Sequence, residues 1–110
     1  MIDKETSIAE IRQKIQEFSN ARGWTTGVNP KDLAMALSVE TAELLEIFQW
    51  VHCDHTDEIV KDASKFEHLK EEVADVFWYL IRICEYYKID LATAVESKAE
   101  KNAKKYPEKL

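Results

Sequence analysis

The chain is poor in the residues that break helices and staple small folds: it has two glycines, two prolines and two cysteines in 110 residues. So few turn formers argue against a β-rich architecture or a low-complexity chain. Two cysteines cannot build a disulfide framework, and Cys84, set in an apolar helical run, reads as a buried free thiol. No stretch reaches the roughly 18 uninterrupted apolar residues of a membrane span, and the first twenty residues lack the apolar centre of a secretory signal. These absences predict a cytoplasmic protein with no membrane partner. Basic charge is also scarce. The net charge of -6 excludes general binding to a nucleic acid polymer.

What remains is helical. Apolar residues make up 45% and charged residues 33%, and the length suits a single domain over residues 1–110 whose apolar faces an oligomer interface would help to cover. Ser7 and Glu10 have capping-box spacing and start a first helix that stops near Gly23. Asn29 and Pro30 open a second helix over about Pro30 to Val51. His52 to Ser64 is weakly periodic and reads as a loop with a short helical turn begun by Thr56 or Asp57. A third helix, about Lys65 to Tyr87, carries one stripe of Phe66, Leu69, Val73, Val76, Leu80 and Ile83 and a neighbouring one of Ala74, Phe77, Ile81 and Cys84. It should be the most buried. Asp90, with Ile89 as a hydrophobic staple, caps a fourth helix that runs to about Tyr106 before Pro107. Short connections imply antiparallel neighbours.

The second helix holds the main anomaly. Glu40 and Glu43 lie among Leu37, Leu44 and Ile47, and Glu72 and Asp75 repeat the three-residue spacing on the flank of the third helix. Carboxylates are rarely buried without a partner, and two facing pairs would repel unless a cation sat between them. Four oxygen donors suit a hard cation, and Mg²⁺ in particular bridges carboxylates to substrate phosphates. An isolated E-x-x-E is common on solvated helices, so the surrounding apolar residues carry the argument. A di-iron site needs two E-x-x-H pairs; here Gln49, His52 and Lys65 stand three before His52, His55 and His68. His52, Cys53 and His55 lack the second ligand pair of a structural zinc site.

Two further sets bear on a ligand. Trp50 lies seven residues after Glu43 and Tyr79 four after Asp75, so both share a face with an acid, and with Trp24 they could stack on a nucleobase; core packing is the plainer role for Tyr79. Lys98, Asn102 and Lys105 share a face that could meet phosphate oxygens, although lysines also suit the negative end of any helix. From Glu40 to Asp75 eleven acids face three lysines, whereas from Lys98 to Leu110 five lysines face two glutamates. An acidic centre with a basic tail fits a ligand carrying metal and phosphate.

These residues jointly resemble the all-α nucleoside triphosphate pyrophosphohydrolases, and among them the single-domain MazG-like and dCTP pyrophosphatase branch. The resemblance rests on E40-x-x-E43 and E72-x-x-D75 separated by 28 residues, R-G-W and N-P-K-D-L before them, F-Q-W after the first pair and K-N-A-K-K-Y-P near the end. It covers about Arg22 to Pro107. It implies an all-α antiparallel bundle of four to five helices completed by oligomerisation, as a homodimer or homotetramer with the pocket near the interface. It also implies that Glu40, Glu43, Glu72 and Asp75 ligate Mg²⁺, that Trp24, Trp50 and Tyr79 surround the base, and that Lys98, Asn102, Lys105 and Tyr106 approach the sugar and phosphates. The expected reaction is hydrolysis of a nucleoside triphosphate, with dCTP among the candidates, to monophosphate and pyrophosphate, with Glu40 or Glu43 activating the water. Where dCTP-preferring members carry F-H before helix 2, this chain has Gly27-Val28, which leaves the base preference open. The rival reading is a non-catalytic helical module whose acids form a partner surface.

Overall fold

Short polar side chains set the start of every α-helix in the computed structural model, which describes residues 1–109. Ser7 accepts the Glu10 amide (3.1 Å) at the head of α1, Ile8–Ala21. Asn29 accepts the Lys31 amide (2.9 Å) for α2, Pro30–Glu46, with Pro30 in the first turn where no amide is needed. Asp62 accepts from Ser64 and Lys65 (both 3.1 Å) for α3, Ala63–Tyr87, and Asp90 accepts from Thr93 (3.1 Å) for α4, Leu91–Lys105. A 3-10 helix, Cys53–Lys61, joins α2 to α3, and the described residues contain no strand.

Two helices end in left-handed caps. Gly23, at φ 69°, lets Trp24 N–H reach the Ser19 carbonyl (2.9 Å) and Gly23 N–H reach that of Asn20 (3.1 Å). This is the paired bonding that closes a helix over its last carbonyls. Lys88 performs the same turn after α3 at φ 55°, with Ile89 N–H on the Cys84 carbonyl (2.9 Å), although its side chain makes that conformation costlier than glycine would.

Three expected boundaries move. α2 stops at Glu46 rather than Val51, because from Ile47 onward the amides bond three residues back, as in Phe48 N–H to Leu45 (2.9 Å) and Val51 N–H to Phe48 (3.0 Å). The branched and aromatic residues there have poor helix propensity, and the chain tightens into turns. The expected loop at His52–Ser64 is mostly the 3-10 helix, which starts with His52 accepting the Asp54 amide rather than at Thr56 or Asp57. α3 begins two residues before Lys65.

α3 is the central element. Ile81 is completely buried, and Cys84 lies beside it in the same buried stripe; Ile15 and Ser19 of α1, Leu33 of α2 and Ile59 of the 3-10 helix complete the small core. α1, α2 and the 3-10 helix each pack against α3. Arg12 ties α1 to the far end of α3 through Glu85 (3.0 Å) and the Ile89 carbonyl. Two members of the expected α3 stripe are not covered: Val73 and Leu80 face outward, as do Met35 and Val39 of α2.

α4 departs from the antiparallel packing that its short connection implies. It packs closely against none of α1–α3, and Val95 at its middle is 60% exposed. The radius of gyration, 16.9 Å, exceeds the roughly 13 Å of a compact chain of this length. The intrachain bundle is therefore three helices and a 3-10 segment, with the fourth long helix standing off. Among the described residues no helix is long and apolar enough to cross a membrane.

Candidate metal and substrate site

Packing of α2 on α3 brings the first acidic pair against the second. Oxygens of Glu40, Glu43 and Glu72 all lie within 4.8 Å of one another. Glu72 is only 8% exposed, although it carries a carboxyl group, and Glu40 and Glu43 are half-buried. The second oxygens of Glu40 and of Glu72 are buried with no hydrogen-bond partner. An unpaired buried acceptor costs about 1–3 kcal/mol, and here two of them belong to residues of one acidic cluster.

The electrostatics agree with the geometry. Loss of solvent, the proton a neutral Glu40 would share with Glu43, and the charges of Glu43, Asp75 and Glu72 push the Glu40 carboxyl from 4.5 up to about 7. Three carboxylates at this spacing hold less negative charge than three isolated ones. A divalent cation removes both difficulties, since it accepts the unpaired oxygens and offsets the repulsion. The donor set, oxygen only, fits a hard ion. Asp75, one turn along α3 from Glu72, is exposed and joins the site through its charge on Glu40 rather than through the tight oxygen cluster.

The Glu72 carboxylate has one fixed neighbour. His68, one turn earlier on α3, places Nε2 3.2 Å from the Glu72 oxygen Oε1, and the ring nitrogen donates because an ionised carboxylate only accepts. His68 also lines a cavity of about 700 Å³ between the end of α2, the 3-10 helix and the start of α3, together with Trp50, His55, Glu58, Asp62 and Lys65. Trp50 stands at this cavity 90% exposed. A ring so bare is not part of the core of this chain.

The other expected aromatics are placed differently. Trp24 is 48% exposed and meets Phe18 edge-on at 5.8 Å, while Phe18 meets Trp78 edge-on at 5.3 Å. Arg82 donates to the Trp24 carbonyl (2.8 Å) and lies over the half-buried Tyr79 ring at 5.9 Å, so one guanidinium joins the Trp24 loop to Tyr79. Lys98, Asn102 and Lys105 are carried on α4, and Tyr106 caps it. The fold of one chain thus gathers Glu40, Glu43 and Glu72, places Trp50 beyond the end of α2 at the cavity lined by His68 rather than on the helix that carries Glu43, keeps Tyr79 on α3, and leaves the basic set on a helix that packs closely on none of these. His68 and Arg82 were not among the expected site residues; the four-residue step from His68 to Glu72 was the only available signal, and such pairs are common on solvated helices.

Comparison with known proteins places the chain in a family. A model of the MazG-like family matches residues 35–109, which include all four acids. dCTP pyrophosphatase 1 of Homo sapiens is 33% identical over 106 residues, covering 96% of this chain and 62% of that protein. The Bos taurus protein of the same name is 31% identical over 103 residues, 94% of this chain and 61% of that one. The chain spans about three fifths of the length of these curated relatives. A crystal structure of a pyrophosphatase from Archaeoglobus fulgidus superposes with a TM-score of 0.84 at 38% identity, covering 98% of this chain and 100% of that one.

Proposed function

Since the chain belongs to the MazG-like family, we propose that it hydrolyses a deoxynucleoside triphosphate to the monophosphate and pyrophosphate. The observation that carries this reading is the convergence of Glu40, Glu43 and Glu72, with two buried oxygens unpaired, in one small region. The names of the similar proteins, dCTP pyrophosphatase 1 and pyrophosphatase, point to the same reaction class.

Glu40, Glu43, Glu72 and Asp75 would hold Mg²⁺. Bound there, the ion would supply neutralisation of triphosphate charge. The remaining work falls to the chain. Attack of water on the α-phosphorus forms a new P–O bond and breaks the bond to the β-phosphate oxygen, releasing pyrophosphate, and the water must give up a proton. Glu40, whose carboxyl in the metal-free chain is pushed up to about 7, or Glu43 beside it on α2 would take that proton. Trp50 and Tyr79, with Trp24 held through Arg82, would stack on the base. Cytosine preference is the finer part of the proposal; Gly27-Val28 ahead of α2 provides no ring or imidazole to read the base.

The same reading includes assembly. Lys98, Asn102, Lys105 and Tyr106 would meet sugar and phosphates of a site on a second copy, because α4 does not pack on the site-bearing helices of its own chain. A homodimer, or a tetramer of two dimers, would cover Val95, Val73, Leu80, Met35 and Val39. Free thiols at Cys53 and Cys84 suit a reducing, cytoplasmic setting.

A panel of dCTP, dATP, dUTP and dTTP with Mg²⁺, read by pyrophosphate release, tests the reaction. Turnover of one or more, lost by over about 100-fold in Glu43→Gln with the helical circular dichroism unchanged, is expected. No turnover with any nucleotide, together with no nucleotide binding by calorimetry in Ca²⁺, would favour a non-catalytic module.

A further inference from the structure

We infer that His68 is a positioning residue for the metal site: its Nε2–H fixes Glu72 so that the opposite oxygen is presented to Glu40 and Glu43. This rests on the proposal that the acids bind a divalent cation, and it adds a residue that the acidic motif does not contain.

Three observations carry it. His68 Nε2 lies 3.2 Å from Glu72 Oε1, within one turn of the same helix, so the contact is held by the α3 backbone itself. Glu72 is nearly buried, whereas the His68 side chain is 58% exposed, so the imidazole reaches inward from the cavity wall to the carboxylate. The second Glu72 oxygen, Oε2, is buried and has no partner, and Glu72 contributes an oxygen to the cluster with Glu40 and Glu43. One Glu72 oxygen is thus bonded to the histidine, and the other is left buried without a partner.

The physical consequence follows from side-chain freedom. A glutamate has three rotatable bonds, and a ligand that must be ordered when the ion arrives gives up that entropy from the binding energy. A histidine that has already ordered Glu72 removes the loss and also turns the carboxylate plane. Partners of this kind, one bond removed from the ion, are worth about 10- to 100-fold in metal affinity.

An alternative role is direct contact with the nucleotide, since His68 also lines the cavity beside Trp50. The two roles separate in the absence of nucleotide. Mn²⁺, used in place of Mg²⁺, is titrated into the 1–110 chain and followed by the loss of the free-ion electron paramagnetic resonance signal. His68→Leu is expected to weaken Mn²⁺ binding by about 10-fold or more. His68→Gln, whose amide can still donate to Glu72, is expected to recover most of it, with KM for nucleotide at saturating metal unchanged. Because the His68 side chain is mostly exposed, neither variant should lose helical signal.

Wild-type affinity for Mn²⁺ in His68→Leu overturns the inference, and if KM alone rises, His68 is a nucleotide contact instead. Glu43→Gln serves as the control. If it loses Mn²⁺ while His68→Leu does not, the metal site stands and only the role of His68 fails. If the wild-type protein binds no Mn²⁺ at all, both readings fall.

Discussion

Replacing Glu40 by glutamine should stabilise the metal-free protein at alkaline pH and leave it unchanged in acid. The folded carboxyl titrates at about 7 against 4.5 for an unperturbed group. A raised pKa means that the favourable contribution, the neutral carboxyl, is fully present below 4.5 and is lost as pH rises through 7. At about 1.36 kcal/mol per pH unit the interval sets an upper bound of roughly 3 kcal/mol. Glu40 is half-buried rather than sealed, so solvent screening should reduce this to about 1–2 kcal/mol. Glutamine copies the protonated acid in shape and can still donate to Glu43. In chelator, thermal unfolding followed by circular dichroism should show Glu40→Gln melting about 5–10 °C above wild type at pH 8. The two curves should converge by pH 4.5, and added Mg²⁺ should reverse their order at pH 8. A variant no more stable than wild type at pH 8 without metal would refute the claim that the acids strain the empty site.

Two other perturbations test different parts of the structure. Trp50→Ala should leave stability within about 0.5 kcal/mol, because the ring is 90% exposed, yet raise KM for the preferred nucleotide by about 5- to 100-fold if it stacks on the base; an unchanged KM removes Trp50 from the site. Arg12→Ala breaks the bond to Glu85 (3.0 Å) and the one to the Ile89 carbonyl, which should cost about 1.5–3 kcal/mol in urea unfolding. A cost below about 0.5 kcal/mol would show that Lys88, 3.7 Å from the other Glu85 oxygen, replaces it.

How far the sequence announced this structure depended on how local the cause was. Ser7, Asn29-Pro30 and Asp90 each cap a helix with a side chain two or three residues from its target, so spacing alone located them. The end of α2 was missed because Ile47, Phe48 and Val51 continue a helical apolar pattern while their backbone has already tightened to three-residue turns. Val73 and Leu80 fit the α3 stripe by period, but periodicity cannot say whether the surface they face belongs to the same chain. At the site, Glu40 and Glu43 were legible as acids inside an apolar face, and Glu72 as an acid on the flank of one. Asp75 was legible as a member of the pair, but not as the exposed member. His68 was invisible for the opposite reason, since a histidine four residues before a glutamate says nothing until the glutamate is seen to be buried.

The detached position of α4 also bears on the order in which the protein can fold. α2 and the 3-10 helix meet α3 through short connections, while α1 closes on α3 across a long sequence separation, as in Arg12 with Glu85; a small helical bundle of this kind forms in microseconds to milliseconds without help from another molecule. α4 connects to this core through Lys88, Ile89 and Asp90 and packs closely on none of its helices, so α4 can become helical early with little surface of its own chain to settle on. If a second copy supplies that surface, refolding divides in two: a fast rise in helical signal independent of protein concentration, then a slower burial of Val95 whose rate increases with it. The nucleotide site, which needs both, would come into being only in the second.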